Sequence, residues 1–393
     1  MKLSSYSLLL VASTLVAALI ALPVVSVMTN IFSGGTGDTW QHLASTVLPD
    51  YVGSTLWLCI GVGCGVVVVG VATAWLTAMH DFPGRRVFEW ALILPLAMPA
   101  YVLAYVYTDF LQFVGPVQTW LRETFGWSRA DYWFPDVRSL GGAILMFVFV
   151  LYPYVYLMAR TAFIERASGM LEAARTLGMG PWRSFFRVSL PLARPAVAAG
   201  TALALMETLA DFGVTSYFGI QTFTTGILKA WLAMDNRFAA AQLATMLLAL
   251  VLLLLWLEHR AERRLRFTAK GAGHAGAAEA QPVALRGGAR LLAWTVCLLP
   301  VLMGFVAPVL FMLRPLASDW SVLPWDRFLE WGWNSVRLGG ITAVLAVTVA
   351  LALAFAVRRR STLQTRGVVQ LASVGYAPPG AVIVVAPVPF THL

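Results

Sequence analysis

Long apolar runs separated by short polar segments dominate this chain. Uncharged or nearly uncharged stretches recur along its whole length, at residues 7–28, 54–78, 90–108, 140–159, 195–216, 238–257, 291–313, 338–357 and 367–388. Each stretch is long enough to cross the roughly 30 Å hydrocarbon core of a bilayer as a helix. Because lipid offers the backbone no hydrogen-bond partners, continuous apolar runs of this kind indicate helices and exclude a barrel. The pattern predicts an all-α fold, a polytopic transmembrane helical bundle with about nine membrane helices.

Composition supports a membrane protein and excludes a water-soluble one. Of the 393 residues, 59% are hydrophobic and only 12% are charged. A soluble fold of this size cannot bury that much apolar surface. The 15 Trp and 11 Tyr suit anchoring at the two membrane interfaces. We attribute the net charge of +9 to basic loops on one membrane face, and we expect no binding of nucleic acid.

The distribution of basic residues predicts the orientation. With the N-terminus in the cytoplasm, 20 of the 28 Lys and Arg residues fall in cytoplasmic segments, whereas residues 30–53 contain none. This bias follows the positive-inside rule. The first apolar run is about 22 residues long, longer than the core of a cleaved signal peptide, so we expect it to be retained as a helix.

Two local features are predicted to be structural. Gly61 and Gly65 have the small-xxx-small spacing that lets two helices approach closely. Cys59, Cys64 and Cys297 lie inside apolar runs and have no metal-ligand spacing with a partner His or Cys. We interpret these cysteines as small core or lipid-facing residues, and we predict no metal site and no disulfide framework.

Residues 259–289 interrupt the apolar pattern and are followed by an internal repeat. This stretch is basic at first and then rich in Ala and Gly, which predicts a flexible cytoplasmic linker. The matching segments are Ala21-Leu-Pro-Val-Val with Val306-Ala-Pro-Val-Leu, Gly53-Ser54 with Asn334-Ser335, and Ala97-Met-Pro-Ala-Tyr-Val with Ala377-Pro-Pro-Gly-Ala-Val. Their offsets of 285, 281 and 280 keep one order, so the first three helices are predicted to recur.

The two copies are predicted to differ in extent. We expect a first bundle of six membrane helices over residues 1–258, the linker over 259–289, and an incomplete second bundle of about three helices over 290–393. A truncated or frameshifted gene would account for the short second copy.

A polar, helix-prone insert lies between two apolar runs at residues 172–191. Its pattern is Glu-Ala-Ala, three residues, Gly, nine residues, an aliphatic residue, one more, and then Leu-Pro. The matching positions are Glu172, Ala173, Ala174, Gly178, Val188, Leu190 and Pro191. The insert resembles the EAA loop of ABC-importer permeases. That resemblance implies a type I importer permease that takes force from a separate ATPase.

The insert is predicted to fold as a helix, a turn and a second helix. Residues 170–177 favour a helix, residues 178–181 a turn, and residues 182–186 a second short helix. The resemblance implies that this unit docks in a cleft of the ATPase. Its apolar plugs would be Trp182, Phe185 and Phe186. Glu172 would make polar contacts, Gly178 would allow the turn, and Pro191 would start the fifth span. The alternative is an interfacial hairpin with no partner.

Glu207 and Asp211 form a second candidate site. They are predicted to lie near the middle of the fifth span, four residues apart and therefore on one helix face. Ionisable groups at that depth need a polar cavity or a partner. They either line the translocation path, where they would tolerate or attract a cation, or form a structural hydrogen-bond pair with Thr215, Ser216 or a Tyr on another helix.

Four further segments resemble the fused permeases of ferric-iron importers, namely residues 94–100, 204–213, 216–219 and 221–227. The resemblance implies transport of ferric iron, delivered by a periplasmic binding protein to an outer face near residues 30–53, 110–139 and 217–237. Thiamine, sulfate, molybdate, polyamine and phosphonate importers have similar loops. The implied location is the bacterial inner membrane.

Two other classes are less well supported. An ion-coupled secondary transporter would use intramembrane carboxylates but needs no EAA loop. A membrane-bound enzyme would need clustered ligands, and His42, His80, His259, His274 and His392 are scattered. The sequence contains no phosphate loop, no His-Glu-x-x-His and no Gly-x-Ser-x-Gly. We therefore predict that the chain is not an enzyme and binds no cofactor itself, with ATP and Mg²⁺ on the partner ATPase dimer.

Overall fold

The fold is almost entirely helical in the part of the chain that the structure describes. This computed structural model describes residues 5–29, 45–166, 174, 176–269, 282–318, 324–359, 367–368 and 379–385. The α-helices are α1 (Ser5–Thr29), α2 (Leu48–Met79), α3 (Arg85–Ala91), α4 (Ala100–Leu111), α5 (Pro116–Phe125), α6 (Leu140–Arg166), α7 (Pro181–Ser184), α8 (Leu190–Ala210), α9 (Gly213–Tyr217), α10 (Phe223–Leu228), α11 (Arg237–Ala269), α12 (Gly288–Val301), α13 (Ala307–Ser318), α14 (Trp325–Arg359) and α15 (Gly380–Val385).

Shorter elements join some of these helices. A 3₁₀ turn lies at Leu94–Ala97, and three π turns lie at Phe185–Ser189, Lys229–Ala233 and Leu302–Val306. Two strands of two residues, β1 (His80–Asp81) and β2 (Val283–Ala284), pair in parallel.

Six helical spans among the described residues are long and apolar enough to cross a membrane. They are Leu48–Met79, Leu140–Glu165, Pro181–Ala210, Arg237–Trp256, Gly288–Arg314 and Trp325–Phe355. A bent pair, Arg85–Ala97 with Ala100–Phe125, turns by 89° and would be a seventh. These spans confirm the predicted all-α, polytopic architecture. Most of the run predicted at 367–388 lies outside the described residues.

The prediction of one continuous helix over residues 90–108 is wrong. The chain forms α3, the 3₁₀ turn and then α4, with Met98 in an extended conformation between the last two. Pro95 and Pro99 explain the breaks. Proline lacks a backbone N–H, and its ring disfavours helical geometry in the residue before it.

The described residues form two compact units. Unit one draws on residues 1–37, 227–248 and 313–393, and unit two on residues 38–226 and 249–312. In unit one, α1 packs with α14 and α15. The Thr245 hydroxyl of α11 also donates a hydrogen bond to the Val27 carbonyl of α1 at 3.0 Å.

The core of unit two is built on the packing of α2 against α6. A Cβ added at Gly61 would come within 2.5 Å of Ile144 Cδ1, and one added at Gly65 would overlap the Val148 side chain. Both glycines therefore permit the close helix approach that their spacing predicts. α8 packs against the same two helices and completes the core.

α12 also packs into unit two. The Trp294 ring lies 5.3 Å from that of Phe88, edge to face. Further along the same span, the Met303 carbonyl accepts a hydrogen bond from the Tyr107 hydroxyl at 2.7 Å. The first apolar span after the linker thus contacts elements that the sequence assigns to the first bundle.

Both ends of the predicted linker have secondary structure. α11 continues to Ala269, so its first part is helical. At its other end β2 pairs with β1, and the Leu285 N–H donates to the Asp81 carbonyl at 2.9 Å. Residues 270–281 lie outside the described residues.

Candidate coupling segment and acidic pair

We call Ala174 and residues 176–189, which lie between α6 and α8, the candidate coupling segment. It begins with a helical turn that ends at Gly178. Gly178 has φ +74°, a left-handed conformation that glycine adopts without strain. The Met179 N–H reaches back to the Ala174 carbonyl at 3.0 Å, the bond that closes a Schellman motif. The predicted turn at Gly178 is confirmed. Glu172 and Ala173 lie outside the described residues.

The second half of the segment is continuous with α8. α7 begins at Pro181, passes into the π turn and joins α8, so that Pro181–Ala210 forms one helical span of 30 residues. Pro191 lies in the first turn of α8, as predicted, although the helical span that contains it begins ten residues earlier. Just before Pro191, the Leu190 N–H donates to the Phe185 carbonyl, a five-residue spacing. This π turn shifts the hydrogen-bond register ahead of a residue that has no N–H to donate.

The three aromatic residues of this second helix point in different directions. Trp182 is 72% exposed and Phe186 is 59% exposed, and their rings stack with a 20° tilt at 6.3 Å. Phe185 is only 9% exposed. Two of the three predicted plugs are therefore available to a partner. The prediction for Phe185 is wrong because its ring packs into the protein's own core.

Phe185 takes part in an aromatic junction, which we define as Trp75, Phe163 and Phe185. The Phe185 ring lies 4.8 Å from that of Trp75 on α2. Trp75 in turn lies 5.4 Å from Phe163, which is fully buried on α6. The junction links the coupling segment to the two central helices of unit two. The sequence suggested no such link, because the three rings come from separate elements.

An ion-pair network lies at the same end of α2 and α6. The Glu89 carboxylate lies 3.2 Å from Arg85 Nε and 3.1 Å from Arg160 on α6. Arg85 Nε also donates to the Thr77 carbonyl at 2.8 Å. In the sequence, both arginines indicated only the orientation of the chain in the membrane. The i,i+4 spacing of Arg85 and Glu89 on α3 could also have predicted their ion pair.

α8 passes close to α6 at Gly200. A Cβ added there would lie 2.8 Å from the Tyr154 carbonyl oxygen and 2.8 Å from Val155 Cα. Both neighbours are backbone atoms, which cannot move aside as a flexible side chain can. At Gly200 the long helical span therefore has no room for a side chain beside α6.

The acidic pair lies at the far end of this span. α8 ends at Ala210, so Glu207 is in its last turn and Asp211 follows it with an extended backbone, φ −74° and ψ 126°. The prediction that both residues lie near the middle of one helical span is wrong. The Asp211 carboxylate accepts a hydrogen bond from the Val214 N–H at 2.8 Å and so caps α9. The N-cap position of α9 is Phe212, which makes no side-chain bond, so Asp211 supplies the acceptor that an N-cap side chain usually provides.

The hydrogen bonds of Asp211 are local to the start of α9. The Thr215 hydroxyl donates to the Asp211 backbone carbonyl at 3.2 Å, not to its carboxylate. Glu207, in the last turn of α8, is partly buried. The hydrogen bond from the Val214 N–H agrees with a structural role for Asp211. A place on the translocation path stays a prediction for both residues.

The short helix α9 is also held at its C-terminal end. The Arg138 guanidinium donates to the Tyr217 carbonyl at 2.5 Å and lies 5.0 Å above the Tyr217 ring. Tyr101 and Tyr105 of α4 contact the same ring, with centroids at 5.8 and 6.0 Å. Sequence reasoning missed this arrangement, which joins three separate parts of the chain.

One helical span therefore connects the two candidate sites. At 1.5 Å per residue, its 30 residues extend about 45 Å, more than the hydrocarbon core of a bilayer. The exposed rings of Trp182 and Phe186 are near one end, and Glu207 and Asp211 are at the other. The continuous helix ends at Ala210, and two residues, the extended Asp211 and then Phe212, separate it from α9.

The described residues contain no group of three or more His, Cys, Asp or Glu side chains placed to hold a metal ion. Their thiols are unpaired: Cys59 and Cys297 are buried, and Cys64 is exposed on α2. These positions fit small packing or lipid-facing residues.

Comparison with known proteins assigns the chain to a family. The chain belongs to the binding-protein-dependent transport system inner membrane components, whose family model matches residues 66–267. That range contains both the coupling segment and the acidic pair. The protein is accordingly a multi-pass membrane component of the permease type.

Three relatives illustrate the range of the match. The Fe(3+)-transport system permease protein FbpB 2 of Haemophilus influenzae is 26% identical over 95% of this chain and 69% of that protein. The probable sulfate transport system permease protein cysT of Chlorokybus atmophyticus is 29% identical over 50% of this chain and 65% of its own length. The molybdenum transport system permease protein ModB of Escherichia coli K12 is 35% identical over 38% of this chain and 62% of its length.

Proposed function

We propose that the chain is the permease subunit of an ATP-binding cassette importer and forms a translocation path for ferric iron. The observation that carries this proposal is the helical span Pro181–Ala210, which joins an exposed aromatic pair to a carboxylate pair. Such a span can turn force applied at one membrane face into movement at the other. Family membership supports the same function.

The partner at the coupling segment would be a cytoplasmic ATPase dimer. Trp182 and Phe186 present stacked, exposed rings that fit an apolar cleft, and Leu177 beside Gly178 is 82% exposed. Large apolar side chains exposed together on a folded segment are typical of an interaction site. ATP and Mg²⁺ would be bound by that dimer, and this chain would hydrolyse nothing.

The substrate proposal depends on similarity and on the chemistry of the acidic pair. The ferric-iron relative matches 95% of the chain, including the second copy of the repeat. Carboxylate oxygens suit a hard cation such as Fe³⁺. An oxyanion is the second candidate, because the sulfate and molybdate relatives are 29% and 35% identical over their shorter matches. Thiamine, polyamine and phosphonate importers are weaker candidates.

The proposed location is the bacterial inner membrane with the N-terminus in the cytoplasm. α6 begins near Arg138 and ends at Arg166, shortly before the coupling segment. If that segment faces a cytoplasmic ATPase, Arg138 and α9 lie toward the periplasm. A periplasmic binding protein would deliver substrate on that face.

Reconstitution tests the proposal directly. The full chain, its cognate ATPase and its binding protein would be placed in proteoliposomes, and uptake of radioactive Fe³⁺, sulfate and molybdate would be measured with and without ATP. ATP-dependent Fe³⁺ uptake is the expected result. ATP-dependent uptake of sulfate or molybdate would show that the substrate is an oxyanion and not ferric iron. Uptake that needs no ATP and stops with an uncoupler would overturn the importer in favour of a secondary transporter.

A further inference from the structure

Residues 112–139 carry several exposed aromatic rings, and we call this segment the aromatic cap. The cap joins the end of α4 to the start of α6. α6 runs from the cap to the coupling segment, so these two segments lie at opposite ends of one membrane helix. The cap is attached at both ends to the helical bundle, and it is therefore held at the membrane surface.

The cap buries a polar side chain and exposes both aromatic and charged ones. Gln118 of α5 is 7% exposed, its amide donates to the Leu111 carbonyl at 2.7 Å, and it accepts from the Tyr132 hydroxyl at 2.8 Å. Trp120, two residues further on, is 59% exposed, and Trp133 is 85% exposed. The cap thus exposes large aromatic rings together with charged side chains such as Glu123, a combination that suits the boundary between lipid and water.

Arg122 is satisfied by contacts within the cap, whereas Glu123 on the same helix is exposed. Arg122 donates to the Phe113 carbonyl at 2.9 Å, to the Tyr132 hydroxyl at 3.2 Å and to the Thr119 hydroxyl at 3.2 Å. Its guanidinium also lies 4.2 Å above the Phe113 ring. These contacts replace hydration, so the side chain can lie beside lipid without an uncompensated charge.

Asp131 is held in a similar way. Its carboxylate accepts hydrogen bonds from the Ser128 N–H at 2.6 Å and from the Ser128 hydroxyl at 2.7 Å. These bonds keep the pKa of Asp131 below its usual value. The loop therefore stays closed on itself at neutral pH and keeps its charge at the loop tip.

Stacked rings make the cap rigid. Phe125 stacks on Trp127 at 4.7 Å, and Trp127 stacks on Tyr132 at 5.7 Å. Rigid aromatic groups that combine an apolar body with an N–H or O–H favour the zone between lipid headgroups and acyl chains.

We propose that the aromatic cap is an interfacial element that lies in the headgroup region of the bilayer, with Trp120 and Trp133 as its anchors. Phospholipid is the occupant that the cap fits, because the cap exposes large aromatic rings together with charged groups and continues directly from two helices of the bundle. This assigns to lipid a segment that the sequence had assigned to the surface for the binding protein.

Site-directed spin labelling tests the proposal without any transport assay, so it does not depend on the proposed function. A variant with all three cysteines changed to Ala would receive Trp120→Cys, Trp133→Cys or, as a matched control, Leu177→Cys. Leu177 is another exposed apolar side chain, but it lies in the coupling segment. Each variant would be labelled with a nitroxide in phospholipid nanodiscs, and its collisions with oxygen and with a water-soluble nickel chelate compared.

The expected result is a ratio of oxygen to nickel collisions several-fold higher at 120 and 133 than at 177. The proposal would be overturned if the nitroxides at 120 and 133 were as accessible to nickel as the one at 177. If positions 120 and 133 were protected from nickel only after the binding protein was added, the proposal would also be overturned, and the cap would be assigned to that protein. Should a cysteine variant fail to fold, Trp120→Phe and Trp133→Phe give a second readout. Each should lower the fraction of Trp fluorescence that brominated phospholipid quenches, and an unchanged fraction would contradict the proposal.

Discussion

The Phe185 ring lies 4.8 Å from the Trp75 ring, which joins the coupling segment to α2 through a buried contact rather than through the chain itself. The neighbouring residue, Phe186, points outward. Adjacent residues of the segment therefore face the protein core and a potential partner, and the two directions can be tested separately.

The inward contact is tested by Phe185→Leu. Leucine stays apolar but loses the ring contacts with Trp75 and Phe163. We expect the ATPase still to copurify, while transport per ATP hydrolysed falls several-fold. Phe88→Leu is the matched control, since Phe88 is a buried ring packed on Trp294 in the same unit. An equal loss of coupling in the control would mean that general destabilisation, and not the aromatic junction, is responsible.

The outward pair is tested by Trp182→Ala combined with Phe186→Ala. Both side chains are exposed, so their removal should leave the melting temperature of the detergent-solubilised protein nearly unchanged. Interface contacts made by large aromatic residues are often worth 2 kcal/mol or more, about a 30-fold loss of affinity. Copurification of the ATPase should therefore be lost. Retention of the ATPase at wild-type affinity would show that these rings are not its binding surface.

Close helix packing is tested by Gly200→Ala. The added methyl group would press on backbone atoms of Tyr154 and Val155, and overpacking of this kind costs about 1–3 kcal/mol. A lower melting temperature in detergent is expected. Gly53→Ala is the control, because nothing lies within 4 Å of a Cβ at that helical position. If both variants melted alike, Gly200 would not be a point of restricted clearance.

The cap on α9 is tested by comparing Asp211→Ala with Asp211→Asn. Asparagine caps a helix about as well as aspartate, whereas alanine loses about 1 kcal/mol. We expect thermal stability to fall only in the alanine variant, because the Val214 N–H loses its acceptor. Equal stability of the two variants would contradict a capping role.

The pathway role is tested by Glu207→Gln together with Asp211→Asn. These changes remove both charges but keep the shapes of the two side chains and the hydrogen bond to the Val214 N–H. If the pair lines the path of a cation, uptake should fall more than tenfold while the binding of the ATPase stays unchanged. Transport with unaltered rate and substrate dependence would leave only a structural role for the pair.

Much of the architecture follows from local chemistry and could be predicted. A continuous apolar run forms a helix in lipid whatever its neighbours are. The Gly61 and Gly65 spacing predicted the contact that the structure places on α6, and Gly178 predicted the turn that its positive φ provides. Each of these features depends on a few residues that are close together in the chain.

The functional geometry depends on the tertiary structure. The sequence predicted that Phe185 would face a partner and that Asp211 would lie inside a helix, and both predictions are wrong. Which face of a short helix is buried depends on elements more than 100 residues away, here Trp75 on α2. Likewise, α8 ends just before Asp211, whose carboxylate accepts a hydrogen bond from the backbone of α9. A side chain that bonds to the backbone in this way competes with continuation of the helix, and the spacing of apolar residues gives no sign of it. The sequence by itself determined a permease-type helical bundle, and the tertiary structure decided which side chains are buried in its core and which are exposed, because burial depends on contacts between distant parts of the chain.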